Sequence, residues 1–556
     1  MDSREFVFSR NAATGKLRSL QRFLEFVPAT CSWLIIVGLL VLMFVEPVIT
    51  ALFIIAFVLS WLFRMVYSNT LLALSFYRLS AEEKTDWMGR LLRMERLEEY
   101  AEEVAREPRK ATMKERTSQR NLLRDLRAAL DGKEPPPEWH EVRHVVLIPV
   151  ARETREIFEP GIVSIAQGTF PSEKVLVILA VEGRAPAETI ADARAVQEAW
   201  GSRFMDLQVV LHPDGIPGEA RVKGANSTFA AKAAAEFMRV RGIGYDRVVL
   251  SCFDADTVVS PQYFGCLTYH FLTCPNRNRA GFQPIPVYTN NFWEAPSFAR
   301  ILDISSSFYM LVEATNPEKL VTFSSHSMSF KALVDIGYWP VDMVSDDSAV
   351  YWKAFIHFDG DYRVVPMYVT LAMDLTQSET MAKTAVNLYK QRRRWAWGVE
   401  AFPLVVSAFL HSKKIPLFTR IKQAFRLFHA HITWATWPFM LTVMSWLPAM
   451  VISMGHSHSV VRYNEPRVLS TMFNLSMIGF LVYAVLSQVF LPRQKGGTPV
   501  WKRLLHALEW VLVPPVSLAF GAIPALDAQT RLLLGHRLGF WVTVKKRKEK
   551  KGAPKA

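Results

Sequence analysis

Cysteine is scarce in this chain of 556 residues: Cys31, Cys252, Cys266 and Cys274 are the four present, and no two form a CxxC pair. That spacing excludes a disulfide framework and a cysteine-based zinc site, and leaves reduced thiols as the reading. Acidic excess is missing too, because 65 Lys and Arg stand against 51 Asp and Glu, a formal net charge of +14. A surplus of that sign points to nucleic acid, an anionic membrane face or a phosphorylated substrate as the partner. Half the residues are hydrophobic (50%) and 21% are charged, and the mean hydropathy is +0.12. The chain is too apolar to be disordered and too charged to be wholly membrane-buried. A protein part membrane and part water-soluble fits both limits.

Long uncharged runs mark the membrane part. From Cys31 to Phe63 the only charged residue is Glu46, followed at once by Pro47, which predicts two spans joined by a tight turn. The run is far longer than a secretory h-region and no small-residue cleavage site closes it, so a signal peptide is disfavoured. Further spans are expected at Ile432–Met454 and Leu469–Leu491. A last stretch, Leu504–Leu526, contains Pro514 and Pro515 and reads as a re-entrant segment or two half-helices kinked at the proline pair. The tail from Lys545 carries seven Lys or Arg against one acid, and Arg4, Arg10, Lys16, Arg18 and Arg22 make the other end basic. Both termini are therefore expected in the cytoplasm, with an even number of crossings, and the basic tail is expected to meet membrane lipid.

The soluble part opens with Ser80–Lys133, dense in Glu, Lys, Arg and Leu at helical spacing, and closes that pattern at Pro135, Pro136 and Pro137. Strand-like runs follow at His144–Pro149, Val175–Val181, Gln208–His212 and Arg247–Phe253, with helical stretches at Ala187–Trp200 and Thr228–Arg241 between them. This alternation predicts an α/β domain with a mostly parallel sheet, helices on both faces and ligands beyond the carboxyl ends of the strands. The expected organisation is a cytoplasmic segment (1–28), a transmembrane hairpin (29–67), a charged helical segment with its proline linker (68–138) and a catalytic domain (139–400). Interface helices (401–429), transmembrane helices (430–526) and a loop with a basic tail (527–556) complete it.

Two constellations carry chemistry. Asp254-Ala255-Asp256 closes the strand Arg247–Phe253, placing two hard carboxylates where a ligand sits, as a Mg²⁺ or Mn²⁺ ion bridging nucleotide phosphates requires. Ordinary turn chemistry competes, since Asp favours strand ends. Gln391-Arg392-Arg393-Arg394-Trp395 follows the acidic cluster Ser345-Asp346-Asp347. On a helix Gln391, Arg394 and Trp395 share one face and offer a phosphate-matching cation beside a flat indole for a sugar ring. A basic juxtamembrane helix is the plainer alternative.

The ordered set of DxD, Ser345-Asp346-Asp347 in place of a TED motif and QxxRW, flanked by membrane spans, resembles glycosyltransferase family 2, specifically its processive cellulose synthase-like members. Phe540-Trp541-Val542-Thr543-Val544-Lys545 is similar to the FxVTxK gating loop of bacterial cellulose synthase catalytic subunits. The resemblance implies a GT-A domain inserted between transmembrane helices, and inverting transfer from a UDP-linked sugar to a growing chain. Asp347 is then the base, with Asp346 its rival, and Asp254 and Asp256 hold the metal. Glu153, Glu182, Lys223, Asp254, Arg394, Phe540, Thr543 and Lys545 are expected at the nucleotide. Gln283, Ser325, Gln391 and Trp395 are expected at the acceptor.

Some positions depart from the family pattern. Ala151 and Arg152 replace the Tyr and Asn of P-x-Y-N-E, Glu182 replaces an Asp, and Phe323-Ser324-Ser325-His326-Ser327 stands where cellulose synthases have FFCGS. No cyclic-di-GMP-binding domain is expected, since no RxxxR plus DxSxxG pair is seen in the tail. Two other readings compete: single transfer to a lipid acceptor, and a pseudoenzyme serving as a membrane scaffold. A nucleic-acid partner is disfavoured because the basic residues cluster at membrane edges. Accessory export subunits, the sugar and the linkage are not legible.

Overall fold

The computed structural model describes residues 6–108, 112–132, 134–445, 447, 460–490, 492 and 499–539. They divide into two units, one of Ser75–Ala295 and Glu313–Asn387, the other of the chain up to Leu74, Pro296–Val312 and the chain from Leu388 onward. Two pieces of the expected 139–400 domain therefore belong with the apolar helices, and the charged helical segment belongs with the sheet.

The first unit is built on an eight-stranded sheet: β1 (Arg143–Val150), β2 (Val175–Glu182), β3 (Asp206–His212), β4 (Val248–Cys252), β5 (Val258–Val259), β6 (Ala280–Tyr288), β7 (His326–Ser329) and β8 (Arg363–Met373). The order across the sheet is β3-β2-β1-β4-β7-β6-β8-β5. β2 is buried at all eight positions and β6 at all nine, so both sheet faces are covered and near-continuous Val, Ile and Leu runs are the natural sequence for it. Helices Arg155–Ala166, Ala187–Trp200 and Lys223–Val240 link β1, β2, β3 and β4 in turn, and those four strands are mutually parallel.

The other half of the sheet differs from the mostly parallel expectation. β7 runs antiparallel to β4 and to β6, and β5 antiparallel to β8, while β6 and β8 are parallel. The two-residue β5 follows the Asp254–Asp256 turn at once and pairs with Leu371 and Ala372. From β1 the chain fills one side with β2 and β3 and then crosses to place β4 on the other, which makes the β1–β4 boundary a topological switch point.

The charged segment forms helices Trp87–Arg93, Leu97–Arg106 and Met113–Leu130. The last is started by a capping box between Thr112 and Glu115. Trp87 is buried against Tyr269, ring centroids 5.2 Å apart, which seats this segment on helix Tyr263–Thr273.

In the second unit four helical stretches among the described residues are long and apolar enough to cross a membrane: Gly15–Val45, Pro47–Glu82, Arg467–Ser487 and Val500–Leu533. The first two meet at Glu46, where Pro47 opens the second helix, as the charge pattern predicts. Of the expected Ile432–Met454 span, the described part continues helix Leu417–Phe439 into a π-turn at Met440–Met444, and most of the rest lies outside the described residues.

The proline-bearing stretch, expected as a re-entrant segment or two half-helices kinked at the proline pair, is helical throughout. Helical turns run without a gap from Val500 to Leu533, tightening to 3₁₀ at Trp510–Leu512 and widening to π at Leu518–Ala522. Pro514 and Pro515 fall in the first turn of the segment Val513–Ser517, where a missing N–H leaves no intrahelical bond unmade. Helix Gly15–Val45 lies along Ile523–Leu533 through Ser32 Oγ donating to Gln529 Oε1 at 2.7 Å and Trp33 Nε1 donating to Thr530 Oγ1 at 3.0 Å.

Candidate active site

The site in the α/β unit forms where β4 ends. β4 pairs with β7 so that Cys252 faces His326, and the residues just outside that register, Asp254 on one strand and Ser324 and Ser325 on the other, are thereby neighbours. Asp254 N–H donates to Ser325 Oγ at 3.0 Å, Ser325 Oγ pairs with Thr257 Oγ1 at 2.8 Å, and Ser324 Oγ donates to Asp254 Oδ2. Ser325 has φ +57°, a left-handed conformation that costs a non-glycine residue roughly 1–2 kcal/mol. Its bonds to the DxD turn are what offset that strain. It is fully buried. Its hydroxyl faces the turn and holds it.

Asp256 is buried as well, and its Oδ2 accepts the Asp374 N–H at 2.6 Å, fixing the turn to the end of β8. Asn290 Nδ2 spans the same junction, donating to the Asp256 carbonyl at 3.1 Å and to Asp374 Oδ1 at 2.9 Å.

Lys223 joins the two acidic motifs. Its Nζ donates to Asp254 Oδ1 at 2.8 Å and to Asp347 Oδ1 at 3.1 Å. Burial pulls the ammonium down, but the Asp254 and Asp347 carboxylates outweigh it and hold its pKa well above the usual lysine value. Lys223 is also the first residue of helix Lys223–Val240, which begins five residues before the expected Thr228. The KGAN segment is thus a helix start, with backbone N–H groups and dipole oriented to favour an anion. Gly224 permits the close approach: a Cβ there would lie 2.6 Å from the Pro340 carbonyl oxygen and 3.1 Å from Asp346 Cβ.

Asp346 and Asp347 open helix Asp346–His357, a position where the helix dipole favours acids. Asp346 is 2% exposed, whereas the Asp347 side chain is 25% exposed. Of the two, Asp347 is the more accessible to solvent. Thr322 Oγ1 anchors it by donating to the Asp347 carbonyl at 2.6 Å. Fully buried His326 stands 3.7 Å from Asp347 Oδ1. Burial lowers its pKa despite the carboxylate, so its neutral Nδ1–H is directed to the Phe323 carbonyl at 3.2 Å.

The remaining expected residues hold local positions. Glu153 Oε2 accepts the Ala151 and Arg152 N–H groups at 2.7 and 2.9 Å, shaping the loop after β1. Glu182 ends β2 and accepts from Arg184 Nε at 3.1 Å. Gln283 is buried, its Oε1 accepting the Phe323 N–H at 2.7 Å, which makes it a support for the 323–327 segment. Gln391, Arg394 and Trp395 lie on helix Met381–Ala396 in the other unit, Gln391 buried and the other two half-buried. Phe540, Thr543 and Lys545 lie outside the described residues.

Sequence reasoning missed Ser324, Thr322, His326, Asn290 and Asp374. The first three sit in or beside the altered FFCGS segment, where a signal existed; Asp374 contributes a backbone N–H to Asp256 and a carboxylate oxygen to Asn290 from just beyond β8, a placement that no motif marks. Among the described residues no three His, Cys, Asp or Glu side chains converge as a ready-made metal cage.

Residues 249–486, from β4 through the QxxRW helix and into the apolar helices, match the family model described as glycosyl transferase family group 2. Over that stretch the chain is similar to family 2 glycosyltransferases. Similar curated proteins include the poly-β-1,6-N-acetyl-D-glucosamine synthase of Staphylococcus aureus (strain COL), 30% identical over 193 residues, which are 34% of this chain and 43% of the relative. The synthase of the same name from Staphylococcus epidermidis is 22% identical over 357 residues, 63% of this chain and 75% of that one. The chain thus spans less than half the length of the S. aureus relative.

Among solved structures, the mannosyltransferase PcManGT from Pyrobaculum calidifontis in complex with GDP-Man and Mn²⁺ overlaps with TM-score 0.40 at 15% identity, covering 80% of this chain and 99% of that one. S. aureus TarS 1-349 in complex with UDP-GlcNAc overlaps with TM-score 0.36 at 11% identity, covering 71% and 93%. The α/β class expected from the sequence is observed, with the acidic turn Asp254–Asp256 just beyond the carboxyl end of β4.

Proposed function

We propose that this glycosyltransferase polymerises a sugar from a UDP-linked donor into a polysaccharide, with inversion, and passes the product across the membrane that its apolar helices span. The catalytic unit and both termini lie in the cytoplasm on this reading. Lys223, held between Asp254 and Asp347 at a helix start, is the observation that carries it. Inverting transfer needs a proton acceptor for the incoming hydroxyl and positive charge for the departing diphosphate, and one lysine reaches both acids.

Asp347 takes the proton. Lys223, with the N–H groups of its helix start, binds the diphosphate, and Arg394 contributes a further cation. Trp395 stacks on the acceptor sugar. Asp254 and Asp256 would hold Mg²⁺ or Mn²⁺, which supplies charge neutralisation to the leaving diphosphate. The fit is reasonable in that Asp254 already draws an ammonium at 2.8 Å, and a nucleotide's phosphates and water would provide the ligands the chain lacks.

The names of the relatives make UDP-GlcNAc the first donor to try. The test is to incubate membranes holding the full chain with a panel of radiolabelled nucleotide sugars and Mg²⁺ or Mn²⁺, then size the product. Long polymer from one donor, abolished by EDTA, is the expected result. Single-sugar products would replace polymerisation by transfer to a lipid acceptor, and no transfer from any donor would favour a scaffold.

A further inference from the structure

Two adjacent arginines of the QxxRW helix face different partners. Arg393 Nη1 donates to Asp527 Oδ2 at 2.8 Å on helix Ile523–Leu533. Arg392 turns instead to helix Ser297–Ala314: its Nη2 donates to Asp303 Oδ1 at 2.7 Å and its Nη1 to Ser306 Oγ at 3.1 Å. Ser306 gives its own proton to the Leu302 carbonyl at 3.0 Å, so its oxygen is oriented to receive the arginine. Asp303 is 1% and Arg392 6% exposed. The Arg392 guanidinium carbon lies 4.5 Å from the ring centroid of Trp395, one helical turn on. Its Nε makes no hydrogen bond among the described residues, as suits a guanidinium whose flat face lies on a ring.

A buried ion pair is poorly explained by stability, because apolar residues of similar volume commonly serve as well or better. It does explain the placement of a cation under an indole. An unanchored arginine has about 2 kcal/mol of rotamer freedom to lose before it can stay over a ring, and Asp303 and Ser306 have already fixed it.

We infer that the Asp303–Arg392 pair is a positioning device for Trp395, holding the Arg392 guanidinium on its ring and so setting the plane of the indole on which an acceptor sugar stacks. The acceptor part of this statement rests on the role proposed for Trp395 above. Asp303 and Arg392 are positioning residues and touch no reacting atom.

The test uses the full chain in lipid nanodiscs labelled with 5-fluorotryptophan, the Trp395 signal in ¹⁹F NMR being assigned by its loss in Trp395→Phe. Removing a single partner would leave a buried charge and threaten folding, so the main variant is the double replacement Asp303→Leu with Arg392→Met. It should shift and broaden the Trp395 signal, whereas Arg393→Met should leave it in place. Arg392→Lys, which keeps the charge but not the fork, should fall between. An unmoved Trp395 signal in the double variant overturns the inference, and this arm needs no donor.

With UDP-GlcNAc as donor and N-acetylglucosamine oligosaccharides as acceptor, the double variant should raise the acceptor KM about tenfold, equivalent to about 1.4 kcal/mol, at unchanged donor KM. A moved signal with unchanged acceptor KM keeps the positioning role and removes Trp395 from acceptor binding. Equal losses in both KM values, together with a lower unfolding temperature, would make the pair merely structural.

Discussion

Replacing Asp347 by Asn separates the proton acceptor from the scaffold that holds it. The amide keeps an oxygen where Asp347 Oδ1 accepts from Lys223 at 3.1 Å, and Lys223 keeps its shorter bond to Asp254 at 2.8 Å. A hydrogen bond to a charged acceptor is downgraded to one with a neutral acceptor, a loss of about 1 kcal/mol, and the 25% exposure of the side chain reduces it further. Folding and nucleotide binding should therefore survive. Transfer should not: general base catalysis is worth roughly 10²–10⁴-fold, or about 3–5 kcal/mol of barrier. The assay is radiolabelled sugar transfer by purified full-length enzyme, run beside UDP binding and thermal unfolding. Asp346→Asn is the matched control, since its 2% exposure predicts a loss of stability before a loss of chemistry. Near-parental turnover in Asp347→Asn would refute the assignment, and a selective loss of turnover in Asp346→Asn would move it by one residue.

Ser325 offers a test of strain against hydrogen bonding. Ser325→Ala keeps the φ of +57° and loses the bonds to Asp254 and Thr257, at a cost of about 1–2 kcal/mol, while Ser325→Gly loses the same bonds but relieves the strain. Unfolding temperatures should fall in the order parent, Gly, Ala, and an Ala variant as stable as the Gly one would contradict that account. Gly224→Ala should push the helix start away from the Pro340 carbonyl, only 2.6 Å from the added Cβ, and lower nucleotide affinity along with about 1–3 kcal/mol of stability, measured by UDP titration and melting. Acid should destabilise the α/β unit early. Burial lowers the pKa of His144 and of His270 to about 3, so below the ordinary value of 6.5 the unfolded chain binds protons that the native one refuses. Stability is full above pH 6.5 and falls with pH toward 3, by about 2 kcal/mol per histidine between pH 7 and 5. Chemical denaturation of the His144→Gln, His270→Gln variant should show a flatter profile, and an unchanged slope would count against these groups.

The parallel half of the sheet was legible because each strand is a bounded run of β-branched residues with a helix behind it, and helix Ala187–Trp200 matched its expected ends. The other half was not. β7 reads His326-Ser327-Met328-Ser329, a polar sequence held in the sheet by pairing with β4 and β6 and buried at all four positions, so tertiary context overrode composition. The acids of the site were legible from order and spacing, whereas their roles were not. Burial distinguishes Asp346 from Asp347 and encloses Ser325 and Gln283, and burial is a property of the fold that adjacent letters do not encode. The helix start at Lys223 was missed because Lys-Gly-Ala-Asn contains a glycine, which argues against a helix unless close packing requires it.

That packing requirement bears on what the site can bind. Asp254 and Asp347 meet at one cation, Lys223, which the structure places directly on both. His326 adds no charge, because burial lowers its pKa. A nucleotide diphosphate arriving at the helix start would bring more negative charge to acids that are only partly solvated, and repulsion between like charges rises as water is excluded. Lys223 cannot serve both the phosphates and two carboxylates without loosening one contact. A divalent cation arriving with the nucleotide, as proposed above, would relieve that repulsion, and Asp256, held on the Asp374 N–H, would keep in place one of the carboxylates proposed to hold it.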